Sequence, residues 1–316
     1  MDDLRPKVSI IGAGNVGIRY AYALMMQGLC RSLVIVDLNK QHAEAEVMDL
    51  ASGMPYFYPV QISAGDYTDL SGSDLVVITA GAKQKAGQDR ISLLKDNIEV
   101  FKKIIPLLTK YAAQAVWLVV TNPVDILSYA TYKISGKDSK GIIGSGTVLD
   151  SARMRFLLSK HCNIDARNIH AYILGEHGDS EFAAWSTALI GGTFLKDYCP
   201  VCNRCRDYRQ TLDSIFTQTR DFAYKIIENK GETSYGIGLA LARITEAVLK
   251  DENSVLPVSS YVRDYYGVEG IYLSLPAVLN KGGLRDILRL KLNEEEVGSL
   301  QCSAAKLRQA IQKAGL

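Results

Sequence analysis

Val8-Ser9-Ile10-Ile11-Gly12-Ala13-Gly14-Asn15-Val16-Gly17 is the stretch whose reading decides the fold. An apolar run breaks into three spaced glycines, continues through helix-compatible residues 18–27, and is followed by Leu33-Val34-Ile35-Val36-Asp37. The order predicts strand, glycine turn, helix, strand, the dinucleotide-binding fingerprint. Gly12 permits the sharp turn, Gly14 lets backbone N–H groups approach a pyrophosphate, and Gly17 lets the helix pack close to the strand. Asn15 and Val16 lie between the second and third glycines, and the open N–H groups and dipole at the helix start that follows favour an anion. Asp37 follows Gly14 by 23 residues, near the ~20 expected of an acid that bonds ribose hydroxyls. Leu38 and Asn39 come next, with no adjacent arginine for a 2′-phosphate, so NAD is expected rather than NADP. On this stretch alone a plain βαβ crossover with a tight turn is the alternative.

Outward from this unit, helical and strand patterns alternate. Residues 41–50 read as a helix, 60–62 as a short strand, and 75–79 as a strand apolar throughout, as a parallel strand buried on both faces should be. Residues 91–111 form a long helical pattern containing Pro106. Residues 115–120 are another buried strand, ending in Thr121-Asn122-Pro123, and 126–134 and 141–144 read as helix and strand. The expectation is an α/β fold: a doubly wound parallel (Rossmann) sheet over residues 1–145. Residues 146–316 then read as a mixed α+β substrate domain. Its helical patterns span 149–160, 206–228, 236–250 and the stretch after Asn293, a plausible N-cap with acids in the first turn. Its strand-like runs are 169–174, 255–262, 271–278 and 284–290.

The composition, 47% apolar and 22% charged with net charge +2, is that of an ordinary globular chain and gives no mandate for nucleic acid or membrane. No uncharged apolar run approaches the ~18 residues of a membrane span, and no secretory signal is visible, so a cytoplasmic protein is expected. Six cysteines do not make a disulfide scaffold. Cys199-Pro-Val-Cys202-Asn-Arg-Cys205 offers three thiolates to a metal, but no fourth ligand is adjacent and Asp197, Arg204 and Arg206 flank it. Reduced surface thiols are expected there, and no metal.

His177 is one of four histidines and sits in the polar loop Gly175-Glu176-His177-Gly178-Asp179. Asp150 and Arg153 share a helix face at i, i+3 spacing. If that face meets His177, Asp150 orients the imidazole and favours its protonated form. Arg153 then takes a substrate carboxylate in a two-pronged pair. A solvated i, i+3 salt bridge and a structural histidine are the plainer alternatives. Arg90 follows the loop-like segment 82–89, which on closing would bring it onto a carbonyl oxygen. Asn122 lies at the C-terminal end of a parallel strand, where doubly wound folds bind ligands.

These residues carry a resemblance to the lactate/malate dehydrogenase family, on its bacterial L-lactate dehydrogenase branch. The matching motifs are Gly12-Ala-Gly-Asn-Val-Gly17, Val36-Asp37, Thr79-Ala-Gly-Ala82, Thr121-Asn-Pro-Val124, Gly146-Thr-Val-Leu-Asp150-Ser-Ala-Arg153, Gly175-Glu-His-Gly-Asp-Ser180 and Gly231-Glu-Thr233-Ser-Tyr-Gly-Ile237. The resemblance implies interconversion of pyruvate and L-lactate with NADH and NAD. It implies that His177 is the acid/base, Asp150 its partner, Arg153 the carboxylate-binding arginine and Arg90 the carbonyl-polarising one. Asn122 would bond the substrate oxygen. Thr233 and Ile237 would line the substrate and nicotinamide pockets, and Thr79, Ala80, Gly81 and Thr121 would run along the cofactor. Gln84 stands where malate enzymes of this family carry arginine, so lactate chemistry is favoured over malate. A malate dehydrogenase, a branched-chain 2-hydroxy acid dehydrogenase and a catalytically silent redox sensor are the rivals. The resemblance also implies a homotetramer, with a dimer as the alternative. It suggests activation by fructose 1,6-bisphosphate through Arg155 and His170: at 3.6 residues per turn Arg155 sits ~200° around the helix from Arg153.

Overall fold

The computed structural model describes residues 6–82, 90–199 and 207–316. The first half runs β1 (Lys7–Ile11), α1 (Asn15–Gln27), β2 (Ser32–Val36), α2 (Lys40–Ser52), β3 (Gln61–Ala64), β4 (Leu75–Ile78), α3 (Arg90–Tyr111), β5 (Val116–Val119), α4 (Val124–Ser135) and β6 (Ile142–Gly144). The second half opens with α5 (Val148–Cys162), β7 (Ile169–His170), β8 (Ile173–Leu174), β9 (Phe182–Ala183), β10 (Leu189–Ile190), β11 (Thr193–Phe194) and α6 (Leu195–Tyr198). It closes with α7 (Tyr208–Lys230), α8 (Tyr235–Leu249), β12 (Ser254–Val262), β13 (Ile271–Asn280), β14 (Gly283–Ile287) and α9 (Glu294–Lys313).

The first six strands are parallel in the order β3-β2-β1-β4-β5-β6. That is the doubly wound order, whose direction reverses between β1 and β4 and opens a crevice at their C-terminal ends. Strand alternation feeds a core on each face. Ile11, Val34, Val76, Ile78 and Val119 pack with Phe101, Ile105 and Leu108 of α3. Val8, Ile10, Leu33, Val77 and Leu118 pack with Leu24 of α1 and Leu241 and Ile244 of α8. This double burial is why these strands read as unbroken apolar runs.

The sheet does not stop at the chain's midpoint. β12 pairs antiparallel with β6 through Ser259 and Gly144, and β13 and β14 extend the same sheet. Docking of α8 on α1 joins the halves on the other side: a Cβ at Gly238 would lie 2.9 Å from the Arg19 carbonyl oxygen, so only glycine fits. The N-cap expected at the last helix is present and is part of a capping box, Asn293 Oδ1 accepting from the Glu296 N–H at 2.9 Å and the Glu296 carboxylate accepting from the Asn293 N–H at 3.0 Å. Among the described residues no helix is long and apolar enough to cross a membrane.

Two expectations are corrected. The single strand expected over 169–174 is two, with β7 pairing to β10 and β8 to β9 in separate small sheets. Strands of two residues carry too little alternation to reveal a break between them. Cys199 is not a surface thiol: it is 1% exposed and packs with Leu195, Leu212 and Ile215, behaving as a small apolar side chain. Cys202 and Cys205 lie outside the described residues.

Candidate active site

The glycine turn shows three different reasons for glycine. Gly12 has φ +110 and a Cβ there would sit 2.7 Å from the Ala80 nitrogen. A Cβ on Gly17 would lie 2.1 Å from the Gly12 carbonyl oxygen. Gly14, with φ −75, has nothing within 4 Å of where its Cβ would be. Neither packing nor backbone asks for glycine at 14, so the demand comes from something that lies against it. Gly14 is also the N-cap of α1 and provides no side-chain cap, leaving the first N–H groups of Asn15, Val16 and their neighbours directed at that space.

Asp37, at the end of β2, accepts from the Ala13 N–H at 2.7 Å and the Asn39 N–H at 2.8 Å. Each oxygen keeps a lone pair for a ribose hydroxyl. The open cradle, the uncapped helix start and this acid fit a dinucleotide. Thr79 donates to the carbonyls of Ile11 and Gly12, and Thr121 to that of Ala80, so both hydroxyls hold the strand ends that frame the crevice. Gly81 packs against Thr121, whose Cγ2 would be 2.6 Å from an added Cβ.

Asp150 reaches the crevice from the first turn of α5. That helix is stitched to β8 on both sides of Asp150: Thr147 Oγ1 donates to the Ile173 carbonyl at 2.5 Å, and Ser151 Oγ accepts from the Ile173 N–H at 2.9 Å. The loop after β8 is hung from β13 by paired Gly175 and Ser274 backbone bonds. His177 therefore meets Asp150, Nδ1 to Oδ2 at 2.7 Å. The other carboxylate oxygen accepts from Arg153 Nη1 at 3.0 Å, and Arg153 Nη2 donates to Thr233 Oγ1 at 3.3 Å. The Asp150 and Arg153 side chains are 5% and 9% exposed, whereas His177 keeps 27% open.

Burial pulls the His177 pKa down, but the charge and hydrogen bond of Asp150, then the charge of Glu181 where that acid is ionised and of Asp125, overcome it and hold the imidazole up to about 9. Burial raises Asp150, yet His177 and then Arg153 keep it below its ordinary value. The result is a charged imidazole whose Nε2 has no partner among the described residues, beside a buried guanidinium. That pairing can donate a proton to one end of a small anion while binding the other.

Three residues enter that the sequence reading missed. Asp125, in the first turn of α4, accepts from the His177 backbone N–H at 2.8 Å and from Ser259 Oγ at 2.5 Å. Its burial pushes its pKa up to about 6. Glu181 is 8% exposed and gathers with Asp150 and His177 so that one donor or acceptor atom of each lies within 4.8 Å of the others. Asn97 is buried and ties two loops, accepting from the Ala82 N–H at 2.6 Å and donating to the Asn122 carbonyl at 2.9 Å. No local pattern marks any of them; only the Asn122 end of that last bridge was singled out.

Of the remaining expected residues, Asn122 is exposed after β5 and Ile237 is half-buried in the first turn of α8. Arg90 begins α3, and Gln84 lies outside the described residues. Arg155 turns away from Arg153, as its spacing requires, and its Nη2 donates to the Ala166 carbonyl at 2.9 Å. His170 is exposed on β7.

Residues 6–144 match the family model for the lactate/malate dehydrogenase NAD binding domain, and residues 147–315 match that for the lactate/malate dehydrogenase alpha/beta C-terminal domain. The chain is 50% identical over 309 residues to the L-lactate dehydrogenase of Thermoanaerobacter pseudethanolicus, covering 97% of this chain and 98% of that one. It is 50% identical over 305 residues to the L-lactate dehydrogenase of Acetivibrio thermocellus, covering 96% of each. Among solved structures, a lactate dehydrogenase from a Medee basin deep-sea metagenome library superposes with TM-score 0.96 at 44% identity over 99% of both chains. The ligand-bound minor L-lactate dehydrogenase of Enterococcus mundtii gives TM-score 0.95 at 36% identity over 98% of both. With both models matched in order and about half of all positions shared with such relatives along nearly its whole length, the chain belongs to the lactate/malate dehydrogenase family, and its cofactor is NAD.

Proposed function

We propose that the chain is an NAD-dependent L-lactate dehydrogenase interconverting pyruvate and (S)-lactate. The observation that carries this reading is the buried relay from His177 through Asp150 to Arg153, at 2.7 and 3.0 Å, beside a glycine cradle that fits a dinucleotide. Relatives named L-lactate dehydrogenase at 50% identity support it. When bound, the cofactor exchanges a hydride with the substrate carbon. Arg153 holds the substrate carboxylate in a two-pronged pair, with Thr233 steadying its guanidinium. His177 delivers a proton to the carbonyl oxygen during reduction and recovers it from the hydroxyl during oxidation. Asp150 fixes the imidazole's tautomer and stabilises its charge. Arg90 and Asn122 polarise the carbonyl. Gln84 presents a neutral amide that leaves a second carboxylate unpaired. Gly12, Gly14, Asn15, Val16, Gly17, Asp37, Thr79, Ala80, Gly81, Thr121 and Ile237 frame the cofactor within a 1–145 domain completed by the 146–316 domain.

Steady-state NADH oxidation with pyruvate and oxaloacetate in parallel tests the reading. Pyruvate is expected to be strongly preferred, and preference for oxaloacetate overturns it. The finer expectations belong to the same proposal: a cytoplasmic homotetramer serving fermentative pyruvate reduction, activated by fructose 1,6-bisphosphate at Arg155 and His170. What supports the effector site is that Arg155 faces away from the substrate side of α5. Pyruvate saturation curves at low enzyme concentration should steepen toward lower substrate with the bisphosphate and lose that response in Arg155→Gln. Superimposable wild-type curves refute the effector site.

A further inference from the structure

Glu181 is a buried acid for which the mechanism above has no use. Two carboxyls meet at His177, and only one is served. Asp150 spends one oxygen on the imidazole and the other on Arg153. Glu181, just before β9, brings its carboxyl into the same cluster, 8% exposed, with no hydrogen-bond partner for that group among the described residues. The charged groups facing it are Asp150 and Arg153 from α5, His177 from the loop and Arg220 from α7. Asp125 of α4 faces His177 from behind. When two acids share a site, the one with partners ionises and the one without keeps its proton.

The charge count gives that proton a purpose. Asp150, His177 and Arg153 together carry one net positive charge, which the carboxylate of an oxo acid cancels. An ionised Glu181 would weaken the net positive field that holds the incoming anion; Arg220, the further cation facing it from α7, is exposed and screened by solvent, so it offsets that charge only in part. We propose that Glu181 is the site's neutral carboxyl: it holds a proton while the oxo acid binds, and its ionisation closes the site to the substrate anion at alkaline pH. Burial, then Asp150, push this carboxyl up to about 8 against the pull of His177, Arg153 and Arg220.

The proposal rests on His177 acting as proton donor, and its test separates the two ideas. If the binding-competent state needs both a charged His177 and a neutral Glu181, it is lost with rising pH through two routes. Glu181→Gln removes one route, so the alkaline limb of pyruvate kcat/KM, and of binding of the unreactive analogue oxamate to the NADH complex, should move up by roughly half to one pH unit. If instead the Glu181 charge serves only to keep His177 protonated, the limb moves down. The sign decides, and a downward or absent shift overturns the proposal.

Two measurements do not depend on catalysis. The wild type should show the infrared C=O band of a protonated buried carboxyl at neutral pH, fading as pH rises through about 8 and missing in Glu181→Gln. Thermal unfolding supplies the other. A carboxyl raised from 4.5 to about 8 keeps a proton that the unfolded chain releases. Wild-type stability therefore falls as pH rises through that window, and the Gln variant's does not. The Tm difference should be near zero at the acid end and grow in favour of Gln toward the alkaline end; a pH-independent difference overturns the proposal. If Glu181→Gln fails to fold, Glu181→Ala and the wild-type infrared titration carry the test. A wild type inactive on pyruvate but showing the band and the Tm trend would reject the lactate reading and leave the neutral carboxyl standing.

Discussion

Asp150→Asn is the substitution for which the structure supports the fullest expectation. It keeps the side chain's shape and removes the charge that faces His177 at 2.7 Å and Arg153 at 3.0 Å. The lift of His177 from 6.5 to about 9 corresponds to roughly 3 kcal/mol in favour of the imidazolium. Burial opposes that lift, and Asp150 is the largest contributor to it. Without the charge, the imidazole should fall to its ordinary value or below. At about pH 7.5 only about a tenth of it would then be charged. Pyruvate kcat/KM should drop by at least roughly tenfold from this loss of charge alone, more where burial takes the imidazole below its ordinary value, and its alkaline limb should move to lower pH. The two directions should suffer differently. Pyruvate binds to the charged imidazole, so its KM rises; lactate binds to the neutral one, so its loss appears mainly in kcat. Stopped-flow and steady-state NADH absorbance in both directions across pH would measure this. A drop under tenfold with an unmoved alkaline limb would refute the assignment of Asp150 as the source of the histidine's charge.

Gly14→Ala should leave Tm within about a degree of wild type, since nothing lies within 4 Å of the new Cβ, yet weaken NADH binding measured by fluorescence; unchanged affinity would mean that no pyrophosphate passes there. Gly17→Ala should instead cost several kcal/mol of stability, on the order expected of forced overpacking, because the Cβ would meet the Gly12 carbonyl at 2.1 Å. Gln84→Arg should move the kcat/KM ratio toward oxaloacetate by orders of magnitude, as a cation for a second buried carboxylate does; an unchanged ratio would remove Gln84 from substrate selection. Asp125→Asn should lower kcat roughly tenfold or more while leaving NADH affinity intact, through a displaced His177 backbone, and wild-type turnover in this variant would show that the loop holds without it.

What was legible in the chain was legible because it is local. The strand, turn and helix around Gly12, Gly14 and Gly17 lie within 20 consecutive positions, from Val8 to Gln27. Their chemistry can be read from spacing and residue type. Asp150 and Arg153 were readable for the same reason, one helical turn apart. Their meeting with His177 was not. It depends on Thr147 and Ser151 clamping Ile173 and on a β13 backbone bridge, and none of these announces itself as part of a site. The resemblance to known dehydrogenases supplied the pairing without its cause. The short strands between His170 and Phe194 escaped because two-residue elements fall below the length at which alternation is visible.

Asp125 and Glu181 were invisible for a further reason. An acid in a helix's first turn has an ordinary local explanation, and so does an acid after a polar loop. Their roles appear only in the folded cluster, and for Asp125 only through partners far along the chain: 52 residues separate it from His177, and 134 separate it from Ser259. Those separations carry a mechanical consequence. Asp125 stands on α4, next to the strand that ends at the cofactor crevice, while Ser259 lies on β12 and His177 on a loop fastened to β13. One buried carboxylate thus joins the dinucleotide-binding half, the extension of its sheet and the proton-carrying loop. Sheets and packed cores move as rigid units rather than bending smoothly. The imidazole is therefore held at a fixed place relative to the cofactor crevice. Proton transfer needs a group fixed to within fractions of an ångström, and this buried carboxylate, bonded at once to the loop and to β12, is what fixes it.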